Sequence, residues 1–158
     1  MKKKINWILL ILCFFVTYLT AFLGSIFTMQ SVKTYWYALI KPTITPPNWV
    51  FPIVWNILFF MIGISLYLAL THTKNKSDRL KVGVVFAMNF ILNALWNCLY
   101  FGLRNPFLAL IEAFILYLSI ILMILVSWRI NKTSAWLLVP YSFWTGYAII
   151  LNYLTVFE

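Results

Sequence analysis

Five long apolar runs, parted only by short charged or proline-containing breaks, take up nearly all of this chain and leave no stretch from which to build a water-soluble domain. Residues 5–32, 42–73, 82–103 and 133–157 carry no Lys, Arg, Asp or Glu, and a further run over 105–128 carries one, Glu112. A helix needs about 20 apolar residues to cross the hydrocarbon core of a bilayer, and each run supplies them. The sequence therefore predicts an all-α membrane protein, a five-transmembrane-helix bundle forming one domain over residues 1–158, with spans near 5–27, 48–71, 80–103, 106–128 and 134–156. A β-barrel would instead show alternating segments of about ten residues, not unbroken runs such as 115–126. With 64% of its residues hydrophobic, the chain in water would be covered with apolar patches, so composition points to the same solvent.

The net charge of +9 does not indicate a nucleic-acid partner, because the basic residues are scattered at span ends and no basic soluble module presents them. Their placement bears on topology. Lys2, Lys3 and Lys4 precede the first span, Lys74, Lys76, Arg79 and Lys81 surround the second connection, and Arg129 and Lys132 mark the fourth. In a five-helix serpentine all of these fall on one side, while Lys33, Lys41 and Arg104 fall on the other. The positive-inside rule then places the N-terminus in the cytoplasm and the C-terminus outside. The first apolar run is too long for a signal-peptide core and ends in no small-x-small site, so an uncleaved first helix in a bacterial cell membrane is expected. Cys13 and Cys98 both fall inside spans and read as small buried hydrophobes. No Cys or His spacing suggests a metal.

The first connection, residues 28–49, mixes aromatics with Pro42, Pro46 and Pro47. Prolines fix φ and lack an amide donor, which predicts a stiff, non-helical cover. Tyr35, Trp36 and Tyr37 either pack beneath it or form an interfacial aromatic belt. In the third span Asn89, Asn93, Trp96 and Tyr100 recur at intervals of four, three and four, giving one polar and aromatic face. Carboxamides at membrane depth face a cavity or bond to neighbouring helices as packing contacts, and the spacing allows both. The fifth span aligns Pro140, Trp144, Ala148 and Asn152 at intervals of four, so that a small residue leaves a notch between two larger ones. The second span contributes Trp55 and Phe59 on one face. Glu112 is costly inside a span unless it is paired, carries a proton or reaches water, and Arg104 two turns away offers an end to snorkel toward. Gly83 and Ala87 make a small-xxx-small pair suited to close helix approach between two copies.

Three segments occur together and in order: WYALIKPTITPPNWVFPIVWNILF, NFILNALWNCLYFGL and AWLLVPYSFWTGYAIILNY. The set resembles the TspO/MBR family, the tryptophan-rich sensory proteins related to the mitochondrial translocator protein or peripheral benzodiazepine receptor, over essentially the whole chain. The resemblance implies a compact five-helix bundle, usually dimeric, with a pocket under the first loop that binds porphyrins and haem-like tetrapyrroles as ligands, isoquinoline-carboxamide and benzodiazepine-type compounds and, in some members, sterols, with no required cofactor. Carried over by position, it implies Trp55 and Trp144 as the tryptophans flanking the pocket, Asn93 and Trp96 as wall residues, Ala148 as the small residue opposite, and Trp36 and Pro46 as caps. Phe59, beside Trp55 on its stripe, joins the ligand-binding set. Two departures matter. Ile44 stands where the family commonly has tryptophan, and Tyr153 is followed by LTVFE, with no basic residue to complete a sterol-recognition pattern, so specific sterol binding is not expected.

Tryptophan faces, a few amides and an apolar surround suit a flat conjugated ligand. The leading expectation is a membrane protein that senses, sequesters or moves porphyrins, held between Trp55 and Trp144. A light- and oxygen-dependent breakdown of protoporphyrin is the enzymatic alternative. No triad of His, Cys or carboxylate is available for ordinary catalysis, so its chemistry would have to run through the excited porphyrin with Trp55 or Trp144 as electron donor. A small-molecule transporter is the third reading, and the absence of a visible inverted repeat counts against ion flux.

Overall fold

The computed structural model describes residues 5–157, so the Lys2, Lys3 and Lys4 cluster lies outside the described residues. Among those described, the chain forms α1 (Trp7–Ser31), a short α2 (Tyr35–Ile40), α3 (Val50–His72), α4 (Lys76–Asn97) running on into a π-helical turn (Cys98–Gly102), α5 (Pro106–Ile130) and α6 (Lys132–Phe157). The five long helices are each apolar and long enough to cross a membrane. They are the five predicted spans, with ends shifted by a few residues.

Asparagine sets most of those ends. Asn6, Asn75, Asn105 and Asn131 each accept a bond on the side-chain oxygen from a backbone N–H three residues on, at 2.8–3.1 Å, and so satisfy a donor that the first helical turn leaves free. Pro106 follows Asn105 in the first turn of α5, where a missing N–H costs nothing. Thr34 caps α2 in the same way, accepting from Tyr37 N at 3.4 Å. The expected non-helical cover is therefore corrected: residues 35–40 are helical, because the prolines begin only at Pro42 and Thr34 supplies a cap.

Around the bundle the long helices follow the cyclic order α1, α3, α6, α5, α4 and back to α1. The half nearer the α3–α4 and α5–α6 connections is solid. Ile62, Leu66, Ala69, Val82, Phe86, Ile120, Met123 and Leu138 are buried there against one another. Reciprocal bonds between Ser65 and Ser134, each hydroxyl reaching the other's carbonyl at 2.8–2.9 Å, pin α3 to α6 in this half. Such small polar contacts are how helices without a hydrophobic driving force between them choose neighbours in lipid. The half beneath the first connection is hollow.

Between these halves runs a polar chain. Asn93 Nδ2 donates to the Tyr141 hydroxyl at 3.0 Å, Tyr141 donates to Asn89 Oδ1 at 3.3 Å, and Asn89 Nδ2 donates to Ser119 Oγ at 2.8 Å. Asn89 is thus a packing residue that ties α4 to α5 and α6. Glu112 does not snorkel toward Arg104. It is buried, with no protein partner on either oxygen, while the Arg104 guanidinium lies over the Trp36 ring 5.7 Å from its centroid. Cys13 is buried and Cys98 half-buried, and both are free thiols.

Candidate functional site

A cavity of about 510 Å³ occupies the hollow half and is lined by all five long helices together with the first connection. That volume is in the range of small-molecule sites. Its walls are built from aromatic stripes. Trp55 stacks on Phe59, rings 5.4 Å apart and 30° from parallel, and meets Tyr141 edge-on at 6.0 Å. On the adjacent α6, Trp144 is braced edge-on by Phe51 at 5.8 Å and by the tilted ring of Tyr147 at 5.7 Å. Trp96 stacks on Tyr100 at 5.0 Å and 23°, and its indole N–H donates to Asn152 Oδ1 at 3.2 Å. Asn152 in turn donates to Pro106 O at 2.8 Å, so α4, α5 and α6 are locked together beside the cavity. Rings held this way present fixed faces, because each indole has a neighbour on its other side.

The π-helical turn carries Tyr100, which α-helical spacing already places on the face of Asn93 and Trp96. Tyr100 and Phe101, adjacent in the turn, are both buried and both on the cavity wall. Ser31 at the end of α1 donates to Phe101 O at 2.8 Å, and Leu103 N closes the turn on Cys98 O at 2.8 Å. On the neighbouring wall, Thr28 bonds Asn97 Oδ1 at 2.8 Å and Asn97 Nδ2 donates to Asn93 O at 2.9 Å.

The roof is formed by Tyr37, Pro42, Thr45 and Asn48. Two bonds hold it down: Tyr147 OH donates to Ile44 O at 2.9 Å, and Lys41 Nζ donates to Asn48 Oδ1 at 3.2 Å. The Tyr37 hydroxyl, outside the spans, is pushed up to about 12 by burial and, secondarily, by Tyr100, so near neutral pH it is a neutral donor.

Of the residues singled out from the sequence, Trp55, Phe59, Asn93, Trp96, Trp144 and Ala148 all line this one cavity. Trp36 and Pro46, expected as caps, are not among its lining residues. The reason is the helical geometry of α2. Successive residues on a helix point about 100° apart, so burying Tyr37 toward the cavity turns Trp36 behind Tyr100, edge-on at 6.2 Å. The sequence reading missed the whole α1 wall, where Ala21, Gly24, Ser25 and Thr28 line the cavity. Their spacing at three and four places them on one helical face and was a readable signal.

Chemically the site offers flat apolar surface and few polar groups. The Trp144 Nε1–H and the Thr145 hydroxyl are buried, belong to lining residues and have no protein partner. Lys33 is the one formally charged side chain among the described lining residues.

A model of the TspO/MBR family matches residues 10–157. The chain is 38% identical over 154 residues to the tryptophan-rich protein TspO of Chlorobaculum tepidum, covering 97% of this chain and 96% of that one. It is 41% identical over 132 residues to the protein of the same name from Archaeoglobus fulgidus, covering 84% of each. It is 28% identical over 137 residues to the translocator protein of Homo sapiens, covering 85% of this chain and 80% of the human one. With the five-span bundle and the tryptophan-walled cavity under its first connection, these matches establish that the chain belongs to the TspO/MBR family.

Proposed function

We propose that this membrane protein binds a tetrapyrrole, a porphyrin or haem, in the cavity and acts in porphyrin sensing, sequestration or transport. The observation that carries the reading is the convergence of Trp55, Trp96 and Trp144, from three different helices, on one cavity of about 510 Å³. A rigid planar macrocycle gains dispersion and desolvation from several ring faces at once and loses little conformational entropy on binding. The same features suit smaller flat ligands of the isoquinoline-carboxamide and benzodiazepine type. The name of the human relative, translocator protein, fits a role in moving such a ligand. The test is a titration of the detergent-solubilised protein with protoporphyrin in the dark, followed by tryptophan fluorescence. Saturable quenching is expected, and quenching that rises linearly without saturation would mean partitioning into the micelle and would sink the reading.

For topology we propose a bacterial cell membrane with the N-terminus in the cytoplasm. Nine of the twelve basic residues lie in the N-terminal segment or in and beside the α3–α4 and α5–α6 connections, and three toward the opposite end. The cavity roof then faces outward. A reporter active only in the cytoplasm, fused after residue 158, is expected to be silent, and strong activity would invert the orientation.

We further propose that two copies associate through the outer face of α4. Gly83 and Ala87 are exposed there, and a Cβ placed on Gly83 meets nothing within 4 Å, so a second helix can approach closely.

A further inference from the structure

We infer that Lys33 is the counter-ion for a carboxylate of the bound tetrapyrrole at the mouth of the cavity. The inference rests on the cavity being the binding site, as proposed above, and adds which end of the ligand faces water. Lys33 lies between α1 and α2, exposed to solvent and on the cavity wall at once. The wall around it is aromatic and apolar, so a ligand seated against Trp55 and Trp144 brings its outer edge toward a single positive charge.

The charge inventory at this end of the molecule leaves that position open to an anion. Three cations sit here, Lys33, Lys41 and Arg104. Lys41 is engaged with Asn48, and Arg104 lies over Trp36. Lys33 has neither a hydrogen bond nor an ion pair among the described residues. The described acids do not reach it. Asp78 stands at the start of α4, at the opposite end, 3.6 Å from Lys81. Glu112 is buried within α5 with no partner. The macrodipole of α1 favours a cation beyond its C-terminus, but that accounts only for a charge near this point and not for its position on the wall of the tryptophan-lined cavity. An uncompensated cation beside a low-dielectric cleft also focuses field into it and raises the rate at which anions arrive.

The experiment uses the full chain in a non-ionic detergent at low salt, with two probes of the same ring: protoporphyrin, which carries two carboxylates, and its dimethyl ester, which carries none. Lys33→Gln is expected to weaken the free acid by about 3- to 5-fold, the size of a partly exposed ion pair, and to leave the ester unchanged. Lys33→Arg is expected to keep acid binding, and added salt should narrow the difference between wild type and Lys33→Gln. Unchanged acid affinity in Lys33→Gln would overturn the inference while leaving the cavity reading intact. Equal losses for acid and ester would also overturn it, since they would reveal a structural role for the side chain. Failure of both probes to bind wild type saturably would remove the cavity reading, and this inference with it.

Discussion

Replacing Trp55 and Trp144 together with phenylalanine is expected to weaken protoporphyrin binding by about 5- to 30-fold, as read from quenching of the remaining tryptophans. Each substitution keeps an aromatic ring but removes part of the flat face, and two such losses sum to roughly 1–2 kcal/mol from lost contact area and ring interaction. The two positions should not contribute equally. Trp144 carries a buried Nε1–H with no protein partner, so Trp144→Phe removes an unsatisfied donor along with area, which offsets part of the loss. Trp55 is backed by Phe59 and Tyr141, so a smaller ring there also loosens its own support. The double variant should still fold, because both side chains are only partly buried and the solid half of the bundle does not include them among its buried core residues. A thermal melt within a few degrees of wild type would confirm that folding is intact. Unchanged affinity in a folded double variant would show that the porphyrin sits elsewhere.

Six of the eight expected ligand residues meet in one cavity because the helical stripes that carry them needed only the α-helical repeat to be read. Trp55 and Phe59, Asn93 and Trp96, and Trp144 and Ala148 share faces as a matter of geometry. What lay beyond the sequence was rotation and register. Whether Trp36 or Tyr37 faces inward depends on how a six-residue helix is turned by its packing, and nothing local decides that. The π-helical turn at Cys98–Gly102 depends on tertiary support, including the bond from Ser31 to Phe101 O, which joins residues far apart in the chain. Charge misled the estimate of where α4 begins. Lys76, Asp78 and Arg79 fall outside the predicted span starting near 80, whereas Asn75 caps a helix whose first turns are charged and project beyond the apolar segment. The α1 wall was overlooked because small residues carry no chemistry of their own, although they are what makes room for a ligand.

That last point gives the largest expected effect on stability. Gly24→Leu should lower the thermal stability of the solubilised protein substantially, by roughly 2–4 kcal/mol in total. A Cβ at Gly24 would lie 2.8 Å from Asn97 Nδ2 and 3.2 Å from its Cγ, too close for the present arrangement. Asn97 cannot simply swing aside, because its oxygen is engaged by Thr28 and its amide by Asn93 O. Overpacking a tight contact costs about 1–3 kcal/mol, and breaking interhelical bonds at membrane depth adds about 1 kcal/mol. The loss should fall on ligand binding too, since Gly24, Asn97 and Asn93 all line the cavity. Gly83→Leu is the matched control, the same change at a glycine whose Cβ would meet nothing within the monomer. It should leave the melting temperature of the monomer close to wild type while shifting a dimeric preparation toward monomer on size-exclusion chromatography. If Gly24→Leu melts like wild type, α1 and α4 are not held together as described. If Gly83→Leu leaves a dimer intact, the copies meet through another face, because an added isobutyl group on a close helix contact cannot be accommodated without separating the helices.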